Sequence, residues 1–559
     1  MHLSAPLFAV LAFLVLLLPA VAQDAPPTLA AGRARLQAND AQGAAAILTA
    51  LLEREPENAP AWLTLGNAHQ TLRDYDMAAE AYQRAVELEP SNAAPLYSLG
   101  VVRALAGDVD GAFEWLGEAR KSRKIDMTQI DSDARLANLR ADPRFARLRP
   151  EPADFAQPFV EPVKILGEWQ GEAANDQFGW IARDVGDVDG DGVHDFVTSA
   201  PSHGPSSAGR AYVYSTKGGA LLWSVDGQPN DSLGIGIEAA GDTNADGVPD
   251  VIVSAPGGGR ACVHSGCDGR VLLTLQGENA SDNFGRHVSG AGDVDRDGHA
   301  DVMVGAPGNS AAGPGAGRAY VFSGKDGHAL LTLTGEAAGD GFGSAVTGRT
   351  SAKQTLLVVG AGTAGPARAG RAYVYDALTT RPKFTLDADA SGGAFAAMFV
   401  AVPGDVDGDG LDDVYVSDWQ NGALGPQTGL VYVHSGKTGK NLFTFTGEAA
   451  GDGLGSTQAI AGDVDGDGHA DLIVGAWQVS TTAVGAGKAY LRSGADGKVL
   501  ASYTCRTPGD TFGFDGVAIG DTDRDGTVDL LITSAWSGVR GYHSGRVFLI
   551  SSGIQGRKR

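Results

Sequence analysis

The stretch Gly462-Asp463-Val464-Asp465-Gly466-Asp467-Gly468-His469-Ala470-Asp471-Leu472-Ile473-Val474-Gly475-Ala476-Trp477 decides the fold. Carboxylates at alternate positions, a glycine that turns the backbone and a fourth carboxylate three residues on converge oxygens on one point, as a hard cation such as calcium requires. An apolar strand follows at once. The pattern D-x-[DN]-x-D-G-x-x-D recurs six times, beginning at Asp187, Asp242, Asp293, Asp405, Asp463 and Asp521.

The ligands expected at loop positions 1, 3, 5 and 9 are side chains, and the one at position 7 is a backbone carbonyl. This assigns Asp187, Asp189, Asp191, Val193 and Asp195 in the first loop, and Asp242, Asn244, Asp246, Val248 and Asp250 in the second. Asp293, Asp295, Asp297, His299 and Asp301 form the third, and Asp405, Asp407, Asp409, Leu411 and Asp413 the next. Asp463, Asp465, Asp467, His469 and Asp471 follow, then Asp521, Asp523, Asp525, Thr527 and Asp529. His299 and His469 contribute oxygen in this scheme, and their imidazoles are expected in solvent. An EF-hand would need a bidentate Glu at position 12 and flanking helices. Position 12 is Thr198, Val253, Val304, Val416, Val474 or Ile532, already inside a strand. About six calcium ions are expected, rigidifying hairpins rather than bridging to a ligand.

Successive loops are spaced by 55, 51, 112, 58 and 58 residues, so the long step holds two units. A degenerate fourth unit fills it, with Ser351, Ala352 and Lys353 where carboxylates would stand. It is expected to bind no calcium. Each unit reads alike: a Phe-Gly pair (Phe178-Gly179, Phe284-Gly285, Phe342-Gly343, Phe512-Gly513), the loop, and an apolar strand. In the first three units that strand ends in Ser-Ala-Pro or Gly-Ala-Pro, and a third and fourth strand follow. Four strands per period of about 55 residues predict β-propeller blades. The chain stops after a third strand near Ile550, and an orphan strand, Val163–Trp169, opens the region. Pairing the two closes a seven-bladed ring without an exposed edge.

These motifs resemble the FG-GAP repeats of integrin α-subunit propellers and of the propeller in glycosylphosphatidylinositol-specific phospholipase D, over about residues 163 to 553. Leu233-Gly234 and Leu454-Gly455 replace Phe-Gly in blades 2 and 6, and blade 5 shows no clear pair. The resemblance implies calcium-dependent extracellular adhesion or ligand binding.

Ahead of the propeller, Thr28 to Lys121 repeats every 34 residues: Gly32, Gly66 and Gly100 align, as do Ala44, Ala78 and Ala112, and Pro56 and Pro90. The middle copy, Trp62-Leu63-Thr64-Leu65-Gly66 with Tyr75, Ala78, Tyr82, Ala85 and Pro90, closely resembles the tetratricopeptide (TPR) consensus. The fold expected is an all-α TPR solenoid followed by an all-β seven-bladed β-propeller. The domain reading is a signal peptide at 1–22, TPR repeats at 23–125, a helical cap at 126–150 whose Leu136 and Leu139 cover the last repeat, a Pro-rich linker at 151–162, the propeller at 163–553 and a basic tail at 554–559. A TPR groove implies a protein partner; the other reading is a spacer.

The chain has 559 residues and a formal net charge of −24, which argues against nucleic-acid or anionic-membrane partners. An apolar run from Leu7 to Leu18 ends in Pro19 and Ala20-Val21-Ala22, an A-x-A pattern expected to be cleaved, leaving no membrane insertion. A secreted, periplasmic or surface location follows. Of three Cys, Cys262 and Cys267 stand close enough for a local bridge, or remain thiols.

Blades 5 to 7 end their second strands in Trp419, Trp477 and Trp536. They are either a stacking face for a protein or a glycan, or packing between blades. No G-x-S-x-G or H-E-x-x-H motif occurs and the 11 His show no ligand spacing, so no catalytic residue is assigned and no enzyme is expected. The leading function is an exported calcium-binding scaffold for protein interaction or adhesion; the alternatives are a lectin-like propeller and a hydrolase or lyase.

Overall fold

The computed structural model describes residues 27–556. The signal-peptide reading falls outside them, as do the last three residues of the tail. The chain forms two compact units, one ending at Leu116 and one starting at Gly117.

The first unit consists of paired helices: α1 (Leu29–Gln37), α2 (Ala41–Leu52), α3 (Ala59–Thr71), α4 (Tyr75–Leu88), α5 (Ala94–Leu105) and the start of α6 (Val109–Ser122). Asp40 and Asn58 start α2 and α3 by accepting hydrogen bonds from Gly43 N and Ala61 N at 2.8 and 3.0 Å. The repeat glycines mark where two helices of a pair touch. A Cβ on Gly66 would lie 2.5 Å from the Tyr82 ring, and one on Gly32 would lie 2.6 Å from Leu48. Tyr82 is fully buried there and its hydroxyl reaches Asn67 Oδ1 at 2.8 Å.

The second unit contains seven antiparallel sheets. Blade 1 sets the pattern: Ala182–Gly186, Asp195–Ala200, Arg210–Tyr214 and Leu221–Asp226, in that order from the inside out. Every residue of Asp195–Ala200 is buried, which is why the second strands are apolar without alternation. Blade 7 is completed by the first strand of the propeller. Ile165–Gln170 pairs antiparallel with Arg546–Gln555, Glu168 opposite Phe548.

Blades 5 and 6 depart from four full strands. The inner strand of blade 5 is only Val400–Ala401, because Pro403 lacks an amide hydrogen and Gly404 turns left-handed at φ 117°. Blade 6 has three strands. In place of its inner ladder the Thr457 hydroxyl donates to Ile473 O (2.7 Å) and accepts from Gly475 N (3.2 Å), and Ala459 takes φ 64°.

Phe-Gly pairs open blades 1, 3, 4 and 7. Gly179 has φ 78°, and a Cβ there would meet Arg546 O at 2.8 Å. Phe178, fully buried, packs edge-on against Tyr212 at 5.3 Å. Phe342 does the same with Tyr373 at 5.1 Å. Blade 5 also has its pair, unread in the sequence because alanine replaces glycine. Phe395 packs on Tyr432 at 5.4 Å and Ala396 adopts φ 53°.

On the axis, the buried Arg183 of blade 1 ties three inner strands together, pairing with Asp515 of blade 7 and donating to Glu238 of blade 2 at 2.9 Å. Gln458 of blade 6 donates to the same Glu238 carboxylate at 2.9 Å. Burial pushes the Glu238 carboxyl upward, against the Arg183 charge.

The segment between the helices and the propeller is built from short turns. Residues 127–148 form three 3₁₀ turns rather than an α-helix, each opened by an aspartate: Asp126, Asp133 and Asp142. Thr128 abuts Gly538, and Lys124 O accepts from Val484 N at 2.9 Å, so the start of this segment rests on blade 6 and 7 loops. The Pro-rich stretch is packed as well: Phe159 is buried beside Phe512 at 4.9 Å, and Glu161 accepts from Thr504 N and Oγ1, both at 2.7 Å. Cys262, Cys267 and Cys505 are all free thiols.

Candidate cation loops and the aromatic mouth

Each aspartate loop is built by its own backbone. The position 1 carboxylate accepts from the position 6 glycine: Gly192 N to Asp187 (2.9 Å), Gly298 N to Asp293 (3.0 Å), Gly410 N to Asp405 (2.7 Å) and Gly526 N to Asp521 (2.9 Å). The glycine is required because a left-handed φ, 82° at Gly192, points that amide inward. The position 9 carboxylate, fully buried, accepts from the position 2 amide, as in Val188 N to Asp195 (2.9 Å) and Val406 N to Asp413 (2.8 Å).

This draws carboxylates together. In five loops three carboxylate oxygens lie within 4.8 Å of one another: Asp187/Asp189/Asp195, Asp293/Asp295/Asp297, Asp405/Asp407/Asp413, Asp463/Asp465/Asp471 and Asp521/Asp523/Asp529. The blade 2 loop offers Asp242, Asp246 and Asp250, with the Asn244 amide oxygen accepting from Asp246 N at 2.9 Å. Oδ1 of Asp195, Asp405 and Asp529 is buried with no protein hydrogen-bond partner. Three carboxylate oxygens gathered this closely are the donor set of a hard cation, so the residues fit one. Burial pushes Asp195, Asp301, Asp413 and Asp471 up to about 6, and raises Asp250 and Asp529.

Lysines border four loops: Lys217 lies 3.7 Å from Asp191, Lys325 3.3 Å from Asp297, Lys437 3.2 Å from Asp409, and Lys164 2.6 Å from Asp523. In blade 4 the carboxylate loop is reduced to a tight turn, Ser351 to Gln354, and Lys353 donates to Gly410 O of the next blade at 3.1 Å. The expectation of solvated imidazoles is corrected. His299 Nδ1 lies 2.7 Å from Thr243 O and His469 Nδ1 2.7 Å from Val406 O, so each half-buried ring ties its loop to the preceding blade's loop. The following amides, Ala300 N to Asp242 O (2.9 Å) and Ala470 N to Asp405 O (2.8 Å), reinforce the link. An imidazole nitrogen and a neighbouring carbonyl are brought together only by the ring, so the spacing along the chain carries no sign of it.

At the other end of the same strands the three indoles meet. Trp477 stacks on Trp536 at 5.1 Å and 24°, and Trp419 meets Trp477 edge-on at 6.3 Å. Blade 7 has six residues between its last loop aspartate and Trp536, where blade 6 has five between Asp471 and Trp477, and the rings still meet. Two further rings join that the sequence reading missed: Trp180 lies 5.6 Å from Trp536, and Phe514 lies 4.7 Å from Trp536 and 5.8 Å from Trp477. Both follow the Phe-Gly glycine directly, and that shared register is the signal that could have found them. Phe514 is buried while all four indoles stay half-exposed.

In the helical unit, Leu52, Trp62, Leu65, His69, Met77 and Glu80 line a hollow of about 270 Å³, with Met77 46 % exposed. Among the described residues no helix is long and apolar enough to cross a membrane.

Comparison with known proteins agrees with this architecture. Tetratricopeptide repeats match at residues 29–71 and 59–92, FG-GAP repeats at 184–214, 237–272 and 284–322, and an FG-GAP-like repeat at 405–474. Mouse integrin alpha-7 is 32% identical over 158 residues, 25% of this chain and 13% of that protein. Chicken integrin alpha-6 is 30% identical over 153 residues, covering 24% and 14%. Integrin alpha-5 of Xenopus laevis is 26% identical over 273 residues, covering 46% and 21%. The chain thus spans about a fifth or less of the length of these relatives. It carries tetratricopeptide repeats at its N-terminal end and, after them, FG-GAP repeats on a seven-bladed β-propeller similar to that of integrin alpha subunits.

Proposed function

We propose that the chain is an exported, calcium-stabilised, non-catalytic scaffold for protein–protein interaction or adhesion. The observation that carries this reading is the separation along single strands. In blade 6 the carboxylates of Asp463, Asp465 and Asp471 stand at one end of Leu472–Ala476 and Trp477 at the other. Six near-identical loops around a ring are fasteners, because none is specialised. The six assigned ligand sets would hold calcium, with position 7 carbonyls such as Val193 O completing them, and calcium would supply charge neutralisation and rigidity. Tetratricopeptide and FG-GAP repeats are non-enzymatic kinds of domain. The apolar N-terminal run with its A-x-A pattern supports export, where free calcium is high enough to fill weak sites.

The partner surfaces are the apolar hollow around Trp62 and Met77 and the mouth around Trp477 and Trp536. The test is capture of partners from envelope and medium fractions on the immobilised full chain, with calcium or EDTA. Side-by-side variants Met77→Glu and Trp477→Ala are run after their folds are verified by circular dichroism. The reading expects a saturable protein partner that one of the two variants releases. A partner set unchanged by both variants and by EDTA would overturn it.

A further inference from the structure

The hollow beside the stacked indoles has a chemistry narrower than that of a general contact face. It measures about 430 Å³, within the range of small-ligand sites, roughly 300–1,000 Å³. Trp477 and Trp536 form one wall, and Tyr542 stacked on His543 at 3.6 Å forms another. The 3₁₀ segment supplies Asp126 and Gln129. We propose that this hollow is a binding subsite for a neutral saccharide, the residue of a glycan, seated on the indoles and held by Gln129, Tyr542 and His543.

The polar groups decide the ligand class. No Lys or Arg lines the hollow, so a carboxylate, sulfate or phosphate finds no counter-charge. Its one formal charge is Asp126, whose Oδ1 is already taken by Thr128 N (2.8 Å) and the Thr128 hydroxyl (2.6 Å). Those two bonds occupy the oxygen that a quaternary ammonium or guanidinium would need. His543 is pushed down to about 4 by burial and is neutral at pH 7, offering one donor and one acceptor nitrogen. The Gln129 amide donates to Asp126 O at 2.7 Å and so presents its carbonyl oxygen. Neutral donors and acceptors around flat aromatic faces match a pyranose, whose C–H face lies on an indole while its hydroxyls take the polar groups.

The inference rests on the scaffold reading only in placing the working face opposite the aspartate loops. The experiment is isothermal titration and tryptophan fluorescence of the full chain in calcium. The probes are glucose, galactose, mannose, N-acetylglucosamine and their β-linked disaccharides, with tetramethylammonium and arginine methyl ester as cationic controls. At least one saccharide is expected to bind near Kd ~1 mM. Affinity should fall about thirtyfold in Trp536→Ala. Because Trp536 also packs on Phe514, Tyr542→Phe serves as the variant that spares the packing, weakening binding about fivefold at an unchanged melting temperature, and Gln129→Ala, which also loses its bond to Asp126 O, is expected to weaken binding by a similar factor. Saturable binding of the cations alone, or of no probe, overturns the proposal, as does saccharide binding indifferent to all three variants. If saccharides fail while a protein partner is still captured, the subsite is wrong and the scaffold stands.

Discussion

Removing divalent cations should cost the propeller about 10 °C of melting temperature at pH 7.5, and about half of that at pH 5. With a weak extracellular Kd near 10⁻⁴ M, ~1 mM calcium stabilises each site by about 1.4 kcal/mol, or roughly 8 kcal/mol over six. The ring from Ile165 to Gln555 comprises about 390 residues, whose unfolding entropy near the melting point is about 0.8 kcal/mol per kelvin. The ratio gives the 10 °C.

Acidity acts through position 9. Without a cation, burial holds Asp195, Asp301, Asp413 and Asp471 at about 6, above the ordinary carboxylate value of 3.8. A raised carboxyl favours the protonated folded state, so the cation-free protein gains stability from these groups as pH falls through 6 toward 3.8. The cation must then displace protons: at pH 5 each of the four sites loses about tenfold in affinity, and the cation-linked stability falls by about 4 kcal/mol. Buried His287 and half-buried His543, pushed down to about 3 and about 4, destabilise the fold on acidification, but equally with and without cation, so they cancel in the difference. Differential scanning fluorimetry in calcium or EDTA across pH 5 to 7.5 reads both effects. A shift below about 2 °C at pH 7.5 would mean that the loops hold no stabilising cation, and one that is the same at pH 5 that the position 9 carboxyls do not compete for it.

Two further substitutions test the packing. Arg183→Met should destabilise by about 3–5 kcal/mol, or about 4–6 °C, because Asp515 and Glu238 are left buried without their counter-charge. The double variant with Asp515→Asn should recover part of that, and equal melts for single and double variants would contradict the network. Gly66→Ala forces a methyl to within 2.5 Å of the Tyr82 ring, and should lower helical-unit stability by about 1–3 kcal/mol while the propeller transition, followed by its tryptophans, stays put.

What the sequence shows and hides follows from the range of each interaction. The Phe-Gly pairs, the aspartate loops and the 34-residue phase of Gly32, Gly66 and Gly100 are local devices, each recurring because every repeat solves the same problem, so period alone yields the architecture. Blade 5 escapes because Ala396 holds a left-handed backbone that glycine signals elsewhere. The links from His299 and His469 to the preceding loops, and the joining of Trp180 and Phe514 to the three indoles, depend on where neighbouring blades bring side chains. The sequence reads 126–150 as a helical cap through Leu136 and Leu139, without showing which kind of turn it forms. Its spaced aspartates cap short turns, and that carries Asp126 to the mouth.

Calcium titration of the chelator-stripped full chain, read by isothermal calorimetry, tests the central claim most directly. About six ions should bind per chain, with single-loop variants such as Asp463→Asn each removing one and Lys353→Ala in blade 4 removing none. A stoichiometry of zero or one would contradict it.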